Sequence, residues 1–478
     1  MNIHLSSDTI CAVATAPGGA IGIIRVSGPK AIDITDSIFV PTQSGRKLCD
    51  RKPYTLAFGN IVDRNNDTET NGNQTDKAEY EIVDEVLVSI FRAPHSYTGE
   101  DSTEISCHGS GYIMQRIMQL LISNGCRPAG PGEYTQRAFL NGKMDLSQAE
   151  AVADLIASNS AASHRMAMNQ MRGSFSKELS ALRDKLLHLT TLVELELDFS
   201  DHEELEFVDR HELTGVAQNI KDVVSGLIAS FRQGNVIKNG IPVAIIGETN
   251  VGKSTLLNRL VGEERAIVSD IHGTTRDVIE DTVNINGKMF RFIDTAGIRE
   301  ATDTIESMGI GRSIEKIKQA EIVLMLLDST CAATQYAELS SKILPLCKDK
   351  ILIVVINKSD INNKTIALPL PPHTKSISIS AKSGTGVETL RHILSESFSL
   401  PEESANGVIV NNLRHLTALK SAHADISRVL NGLASNIPTD LVSQDLRNCL
   451  YHLGEITGGE IQPEAVLENV FKHFCSGK

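Results

Sequence analysis

The chain has 478 residues. This is too many for one ordinary hydrophobic core, so about three domains are expected. Hydrophobic residues make up 41% of the chain and charged residues 22%, a balance typical of globular proteins rather than of long disordered chains. The net charge of -13 excludes a protein that coats nucleic acid with its whole surface, because the phosphate backbone favours positive charge.

No segment of the sequence is suited to crossing a membrane or to forming a disulfide framework. The longest apolar runs, such as VLMLL and ILIVVI, have the length of strands, whereas a membrane span needs about 18 apolar residues. The N-terminus MNIHLSSDTI lacks a signal or transit pattern, and the eight cysteines include no CxxC pair or zinc-like spacing. The sequence predicts a cytoplasmic protein without membrane contact, disulfides or structural zinc.

Residues 1–142 are predicted to form one mixed α/β unit. Short strand-like runs, broken by Gly and Pro, occur at TICAVAT, GAIGIIRVSG, YTLAFGNIV and EVLVSIF. Within this unit, residues 64–79 are polar and lack periodicity. They are therefore predicted to form a surface loop or a disordered insertion.

Helical periodicity dominates the chain on both sides of the next α/β region. Apolar residues recur at helical spacing over residues 143–236 and again over 399–478, whereas strands alternate with helices over 237–398. The simplest account is an all-helical domain in two parts, with an α/β domain inserted between them. The predicted fold class is therefore α/β and α.

The segment GETNVGKS, residues 247–254, matches the phosphate-binding loop pattern G-x-x-x-x-G-K-[ST]. It lies between the apolar run IPVAII and the helix-forming TLLNRL, which is the context that the motif requires. Lys253 would neutralise the β and γ phosphates, and Ser254 would bind Mg2+. The nucleotide-binding residues predicted in this segment are Asn250, Val251, Gly252, Lys253, Ser254 and Thr255. A chance match of a Gly-rich turn is the alternative, which the motifs that follow disfavour.

Three further motifs, MFRFIDTAG, ILIVVINKSD and SISISAK, end at the carboxyl ends of predicted strands, where doubly wound sheets bind ligands. Asp360 offers two acceptors to the N1–H and amino donors of guanine, so the chain is predicted to bind GTP rather than ATP. The nucleotide-binding residues predicted here are Asp294, Thr295, Ala296, Gly297, Asn357, Lys358, Asp360, Ser380, Ala381 and Lys382.

The segment GTTRD lies between these motifs, where a switch segment would supply a threonine to Mg2+, and Thr275 is assigned to that role. An ordinary polar turn is the alternative. The residues before Thr275 that are assigned to the same nucleotide-binding segment are Ser269, Asp270, Ile271, His272, Gly273 and Thr274. Many GTPases place a glutamine directly after DTAG to orient the attacking water, but this chain has Ile298 there. Glu300 and Glu306 are the nearby candidates for that task, and the spacing does not choose between them.

These motifs together resemble the MnmE (TrmE) family of tRNA modification GTPases. The resemblance includes GxxNxGKS, DTAGIRE, the terminal FCSGK, and RPAGPGEYTQRAFLNGKMDLSQAEAVADLI at 127–156, and it covers essentially the whole chain. It implies an N-terminal folate-binding and dimerisation domain, an all-helical domain, and an inserted Ras-like, doubly wound P-loop G domain. This chain departs from the family pattern at Glu248, at Thr249, where Pro is usual, and at Ser476, where an aliphatic residue is usual.

The resemblance implies a homodimer that works with a flavin-dependent partner protein, expected as a heterotetramer. Together they would add a carboxymethylaminomethyl or aminomethyl group to C5 of the wobble uridine in certain tRNAs. The one-carbon unit would come from 5-formyl-tetrahydrofolate or a related folate. The folate-binding residues implied are Arg25, Glu104, Lys143 and Lys478, although each could instead be a solvated surface charge.

The resemblance also implies that K+ activates GTP hydrolysis when two G domains associate. The K+ ligands implied are Asn250, Ser269, Ile271 and Thr274. The ion would supply the positive charge that an arginine finger gives elsewhere. Glu306 then falls at the family's water-orienting position and is favoured over Glu300.

Cys475 lies three residues from the end of the sequence, in KHFCSGK. The resemblance implies that this tail returns to the folate pocket. The thiol is then either a nucleophile in the modification chemistry or a small packing residue, as free cysteines most often are.

Two other classes of function share some of these features. A ribosome-assembly GTPase would share the nucleotide motifs but should carry an RNA-binding module or a basic tail. A folate-binding regulatory module would use GTP only as a switch and would leave tRNA nucleosides unchanged in its absence.

Overall fold

The computed structural model describes most of the chain. The described residues are 8–42, 45–64, 80–198, 210–262, 281–293, 314–362, 366–398, 408–435 and 439–459. The chain divides into two compact units, Met1–Ala153 with Gly454–Lys478, and Asp154–Leu453. Among the described helices, none has the length and apolar character required to span a bilayer.

The first unit contains a seven-stranded sheet with the strand order β3-β4-β5-β6-β2-β1-β7. Its strands are β1 (Thr9–Val13), β2 (Ile21–Ser27), β3 (Phe39–Pro41), β4 (Thr55–Asp63), β5 (Glu81–Phe91), β6 (Ser102–His108) and β7 (Cys126–Pro128). Strand β7 pairs with β1 in parallel, and the other neighbours pair antiparallel. The helices of this unit are α1 (Ala31–Ser37), α2 (Gly111–Ser123) and α3 (Glu133–Leu140).

The core of this unit forms because strand and helix periodicities bring apolar side chains to a shared layer. Alternate residues of β2, Ile24 and Val26, are fully buried, and α2 buries Met114, Ile117 and Leu121 on one face. These side chains belong to one hydrophobic cluster. Each fully buried aliphatic side chain stabilises the fold by about 1.5–3 kcal/mol relative to exposure.

Long helices form the second architectural element. After α4 (Leu146–Ala157) they are α5 (Ala161–Met171), α6 (Ser174–Asp198) and α7 (Arg210–Asn239). Helix α7 buries residues at intervals of four and three, namely Leu213, Ala217, Ile220, Val224 and Leu227. This spacing places them on one stripe of the helix, which is the pattern of a helix that packs along its length.

A six-stranded sheet follows α7, with the order β13-β12-β11-β8-β10-β9. The strands are β8 (Ile241–Ile246), β9 (Asp281–Ile285), β10 (Lys288–Phe292), β11 (Ile322–Asp328), β12 (Ile351–Asn357) and β13 (Lys375–Ser378). All neighbours pair in parallel except β9 and β10. The helices described in this region are α8 (Lys253–Gly262), α9 (Ala332–Ile343) and α10 (Val387–Ser397), and a further short helical stretch occupies 314–319.

Helices cover both faces of this sheet. Along β11, Leu324 and Leu326 belong to one hydrophobic cluster and Val323 and Met325 to another, so the strand is buried on both sides. Helices α8 and α10 contribute leucines to the first cluster, whereas α9 contributes Ala332 and Tyr336 to the second. Therefore α8 and α9 lie on opposite faces of the sheet.

Two further helices, α11 (Leu413–Ala434) and α12 (Thr439–Thr457), complete the described chain. Helix α11 packs against α7, although in the sequence the six-stranded sheet lies between these two helices. The predicted fold class is confirmed: a mixed α/β N-terminal region, helices, and a doubly wound sheet with a P-loop. The four boundaries proposed from the sequence stay predictions, and of the predicted insertion at 64–79 only Arg64 is described.

Candidate functional site

The phosphate-binding loop connects the buried strand β8 to α8, which begins at Lys253. Two residues of the loop have left-handed backbone angles, Asn250 with φ 63° and Gly252 with φ 98°. Loops of this kind can direct successive backbone N–H groups into one concave surface, which favours anions. The N-terminus of α8 adds its positive dipole to the same place.

Lys253 lies across this loop. Its Nζ donates hydrogen bonds to the carbonyl oxygens of Gly247, at 2.8 Å, and Glu248, at 2.6 Å. Burial lowers the pKa of Lys253, and the nearby charge of Lys316 lowers it further, while Glu248 acts in the opposite direction. An ammonium held in this position can exchange its carbonyl partners for phosphate oxygens.

Asn357, at the end of β12, joins the phosphate-binding loop to the segment after β13. Its Nδ2 donates to the Val251 carbonyl at 2.8 Å, and its Oδ1 accepts from the Ala381 N–H at 2.9 Å. The side chain is buried, so both bonds are shielded from water. This asparagine therefore sets the spacing between two predicted nucleotide-binding segments.

The predicted base-recognition residues follow at the same sheet edge. Lys358 has φ 65°, and its Nζ pairs with the carboxylate of Asp328 at 2.6 Å. A hydrogen bond from Ser380 lowers the pKa of Asp360, and the charges of Lys382 and Lys358 also favour its ionised form. Asp360 is exposed and ionised, so its carboxylate can accept two hydrogen bonds from a guanine edge.

Parallel strands explain this convergence, because β8, β11 and β12 present their carboxyl ends at one edge. The predicted residues at that edge are Asn250, Val251, Gly252, Lys253, Ser254, Thr255, Asn357, Lys358, Asp360, Ser380, Ala381 and Lys382. The predicted residues that lie outside the described part of the chain are Ser269, Asp270, Ile271, His272, Gly273, Thr274, Thr275, Asp294, Thr295, Ala296, Gly297 and Glu306.

Two residues beside this site, Asp328 and Gln335, were not predicted from the sequence. Asp328 ends β11, and burial opposes but does not outweigh the bonds from Lys358 and Thr330 that lower its pKa. Gln335 lies on α9, and its amide contacts both the Asp328 backbone and Glu248. The position of Asp328 at a strand end was a usable signal, but the sequence contained none for Gln335.

Two of the predicted folate-binding residues form an ion pair in the first unit. Arg25 on β2 and Glu104 on β6 are direct cross-strand neighbours, and the guanidinium donates to Glu104 Oε1 at 2.9 and 2.7 Å. The guanidinium carbon also lies 5.7 Å from the ring centre of Tyr97 and 5.6 Å from that of Tyr134. A cation, a carboxylate and two aromatic rings thus occupy one partly exposed place.

Lys143 contacts the same loop that supplies Tyr97. Its Nζ donates to the carbonyl of Pro94 at 2.9 Å, and its side chain lies against Gly99. Arg25 and Lys143 therefore both adjoin the segment between β5 and β6. Lys478 and Cys475 lie outside the described residues, so the predicted return of the tail stays a prediction.

Comparisons with known proteins cover nearly the whole chain. The family model described as the MnmE helical domain matches residues 146–475, and that of the GTP-binding protein TrmE N-terminus matches residues 9–143. The tRNA modification GTPase MnmE of Bacteroides thetaiotaomicron is 58% identical over 482 residues, which is 99% of this chain and 100% of the relative. The MnmE of Porphyromonas gingivalis is 47% identical over 483 residues, which is 99% of this chain and 98% of the relative.

A doubly wound sheet with a P-loop and a guanine-recognition motif at one edge defines the class of P-loop GTPases. Within that class, the chain belongs to the MnmE family of tRNA modification GTPases. The resemblance seen in the sequence is thereby confirmed.

Proposed function

We propose that this protein binds GTP with Mg2+, hydrolyses it, and uses the hydrolysis in the modification of tRNA. Family membership supports the activity. The single observation that carries the GTP site is the double hydrogen bond of Asn357, which connects the phosphate-binding loop to the segment beside Asp360. Ser254 and Thr275 are the proposed Mg2+ ligands.

The proposed reaction adds a carboxymethylaminomethyl or aminomethyl group to C5 of the wobble uridine in certain tRNAs. The protein works with a flavin-dependent partner in a heterotetramer, in the cytoplasm. The relatives' printed names support the tRNA substrate. The partner and the wobble position rest on the family resemblance.

The proposed folate site is the cluster around Arg25 and Glu104. The donor set fits a folate, because a carboxylate can accept from the N–H groups of a pterin while cations bind the glutamate tail. Tyr97 and Tyr134 add aromatic surface beside the guanidinium. Lys143 and Lys478 complete the proposed site, to which the tail that carries Cys475 would return. A bound folate would supply the one-carbon unit.

The proposed hydrolysis depends on K+ and on Glu306. Asn250 is exposed at the turn of the phosphate-binding loop, which suits an amide oxygen that binds a cation. Ser269, Ile271 and Thr274 are the other proposed ligands. A bound K+ would supply positive charge to the transition state, and Glu306 would orient the attacking water.

The proposed homodimer forms through the N-terminal sheet. Phe58 on β4 and Leu87 on β5 are direct cross-strand neighbours, and their side chains are 48% and 42% exposed. Leu56, two residues along the same face, is 63% exposed. A second copy of the chain is the proposed occupant of this apolar face, because removing these apolar side chains from water between two copies is favourable.

Mass spectrometry of tRNA nucleosides tests the proposed function. Cells that lack the protein should lose the wobble-uridine modification, wild type should restore it, and Lys253→Ala should not, because the lysine holds the phosphates. Retention of the modification in the deletion strain would favour the folate-regulatory or ribosome-assembly alternative. Restoration by Cys475→Ser would make Cys475 a packing residue, whereas failure of a folded, GTP-hydrolysing variant would make it a chemical participant.

A further inference from the structure

Glu248 is an acidic residue inside a loop that binds phosphates. Its backbone carbonyl accepts a hydrogen bond from Lys253, and its charge acts on the Lys253 ammonium, so the carboxylate is within electrostatic range of the phosphate position. A carboxylate left facing the phosphates would oppose a nucleotide that carries several negative charges. Some feature of the structure must therefore offset this charge.

Gln335 contacts this carboxylate. Its Nε2 donates to Glu248 Oε2 at 2.8 Å, and its Oε1 accepts from the Asp328 N–H at 2.8 Å. The residue is only 6% exposed. Hydrogen bonds at both ends of the amide fix its orientation, so the donor group is directed toward Glu248.

The hydrogen bond from Gln335 reaches Glu248 from one particular face of the sheet. Gln335 lies on α9, which packs on one face of the sheet, whereas α8, whose N-terminus begins at Lys253, packs on the other. The bond to Gln335 therefore draws the carboxylate toward the face opposite the helix that supports the phosphates.

The Oε1 end of the Gln335 amide is held by the Asp328 N–H, next to the predicted base-recognition residues. Asp328 pairs with Lys358 at 2.6 Å and accepts a hydrogen bond from the Thr330 N–H at 2.9 Å. The strand end that carries Asp328 is therefore itself restrained by several bonds. Gln335 is therefore bonded to a restrained strand end and can restrain Glu248 in turn.

We propose that Gln335 is a positioning residue of the GTP site, which holds the Glu248 carboxylate away from the nucleotide phosphates. This inference rests on the GTP site proposed above and adds a residue to it. The alternative is that Gln335 only fixes α9 to the sheet. The two explanations differ in whether the affinity lost on breaking the bond depends on the number of phosphates in the ligand.

The sharpest variant is Gln335→Glu, which keeps the size of the side chain and the acceptor for the Asp328 N–H but replaces the donor to Glu248 with a like charge. Titration of the full-length protein with GTP, GDP and guanosine measures the effect. The affinity for GTP should fall about tenfold or more, since a hydrogen bond to a charged group is lost. The affinity for GDP should fall less, and that for guanosine should not change.

A second substitution supplies the matched control. Adding Glu248→Gln to Gln335→Glu exchanges donor and acceptor at the same two positions and should restore the affinity for GTP to within about threefold of wild type. An equal loss for guanosine, or no restoration in the double variant, would overturn the inference. Lys253→Ala distinguishes the two proposals: if that variant binds GTP as wild type does, it is the GTP site itself that is wrongly placed.

Discussion

Gly252 and Asn357 are in such close contact that position 252 has no room for a side chain. A Cβ added to Gly252 would lie 2.3 Å from Asn357 Nδ2, and the residue has φ 98°, which side chains rarely adopt. Glycine is therefore required there by both space and backbone conformation. The same contact allows Asn357 to reach the Val251 carbonyl.

We expect Gly252→Ala to abolish tight GTP binding, because Asn357 must move and the loop must leave its left-handed conformation. The affinity should fall by about a hundredfold, which corresponds to strain of about 3 kcal/mol. Titration with a fluorescent GTP analogue measures it. Gly262→Ala, at the far end of α8, is the matched control and should bind normally, since no atom of the described residues lies within 4 Å of a Cβ added there. Near-normal binding by Gly252→Ala would contradict the placement of the loop against Asn357.

The hairpin of β9 and β10 secures the C-terminal end of α10. Lys288 Nζ donates to the carbonyl oxygens of Ser395, at 2.5 Å, and Phe398, at 2.7 Å. The last carbonyls of a helix lack partners within the helix, and a cation there also interacts favourably with the helix dipole. A single lysine therefore joins a strand at one side of the sheet to a helix that packs on its face.

We predict that Lys288→Met loosens the end of α10 without unfolding the sheet. The loss of about 1 kcal/mol should speed amide hydrogen exchange about fivefold in the peptide that contains residues 395–398. Exchange measured by mass spectrometry on the full-length protein checks this. Lys348→Met, at an exposed position of the same region, should change nothing there. Unaltered exchange in Lys288→Met would show that the cap contributes no local stability.

The helices of the second unit come from distant parts of the chain. Asp154 accepts a hydrogen bond from Asn411, 257 positions away, at 3.0 Å, and its other carboxylate oxygen lies 2.8 Å from the Lys238 Nζ. Helices α7 and α11 pack together although the six-stranded sheet is formed by the chain between them. The sheet region is thus an insertion between helices that contact one another.

The assembly of two copies gives a prediction for the full-length protein. Phe58→Asp should yield a monomer of 51.8 kDa in light scattering after size-exclusion chromatography, because it places a charge on the apolar face proposed as the dimer interface. Tyr112→Asp is the control, since Tyr112 is 72% exposed on α2, and it should stay dimeric. A Phe58→Asp variant that remains a dimer would move the interface elsewhere.

Local motifs made the fold class and the location of the candidate GTP site predictable. The phosphate-binding loop, NKSD and SISISAK are short contiguous segments; the first two follow apolar strands, and the third contains the strand that it ends. Their shared location followed from a general property of parallel sheets, whose carboxyl ends meet at one edge. The helical regions were recognisable because their apolar spacing repeats over many turns.

Contacts between segments far apart in sequence were decided only by the tertiary structure. The hydrogen bond between Gln335 and Glu248 joins residues 87 positions apart, and that between Asn357 and Val251 spans 106. Such pairs depend on strand order and on which face of the sheet a helix covers, and neither is encoded in a local pattern. The sequence alone therefore determined which motifs make up the candidate nucleotide site, and the fold decided which distant residue contacts the acidic residue of its loop.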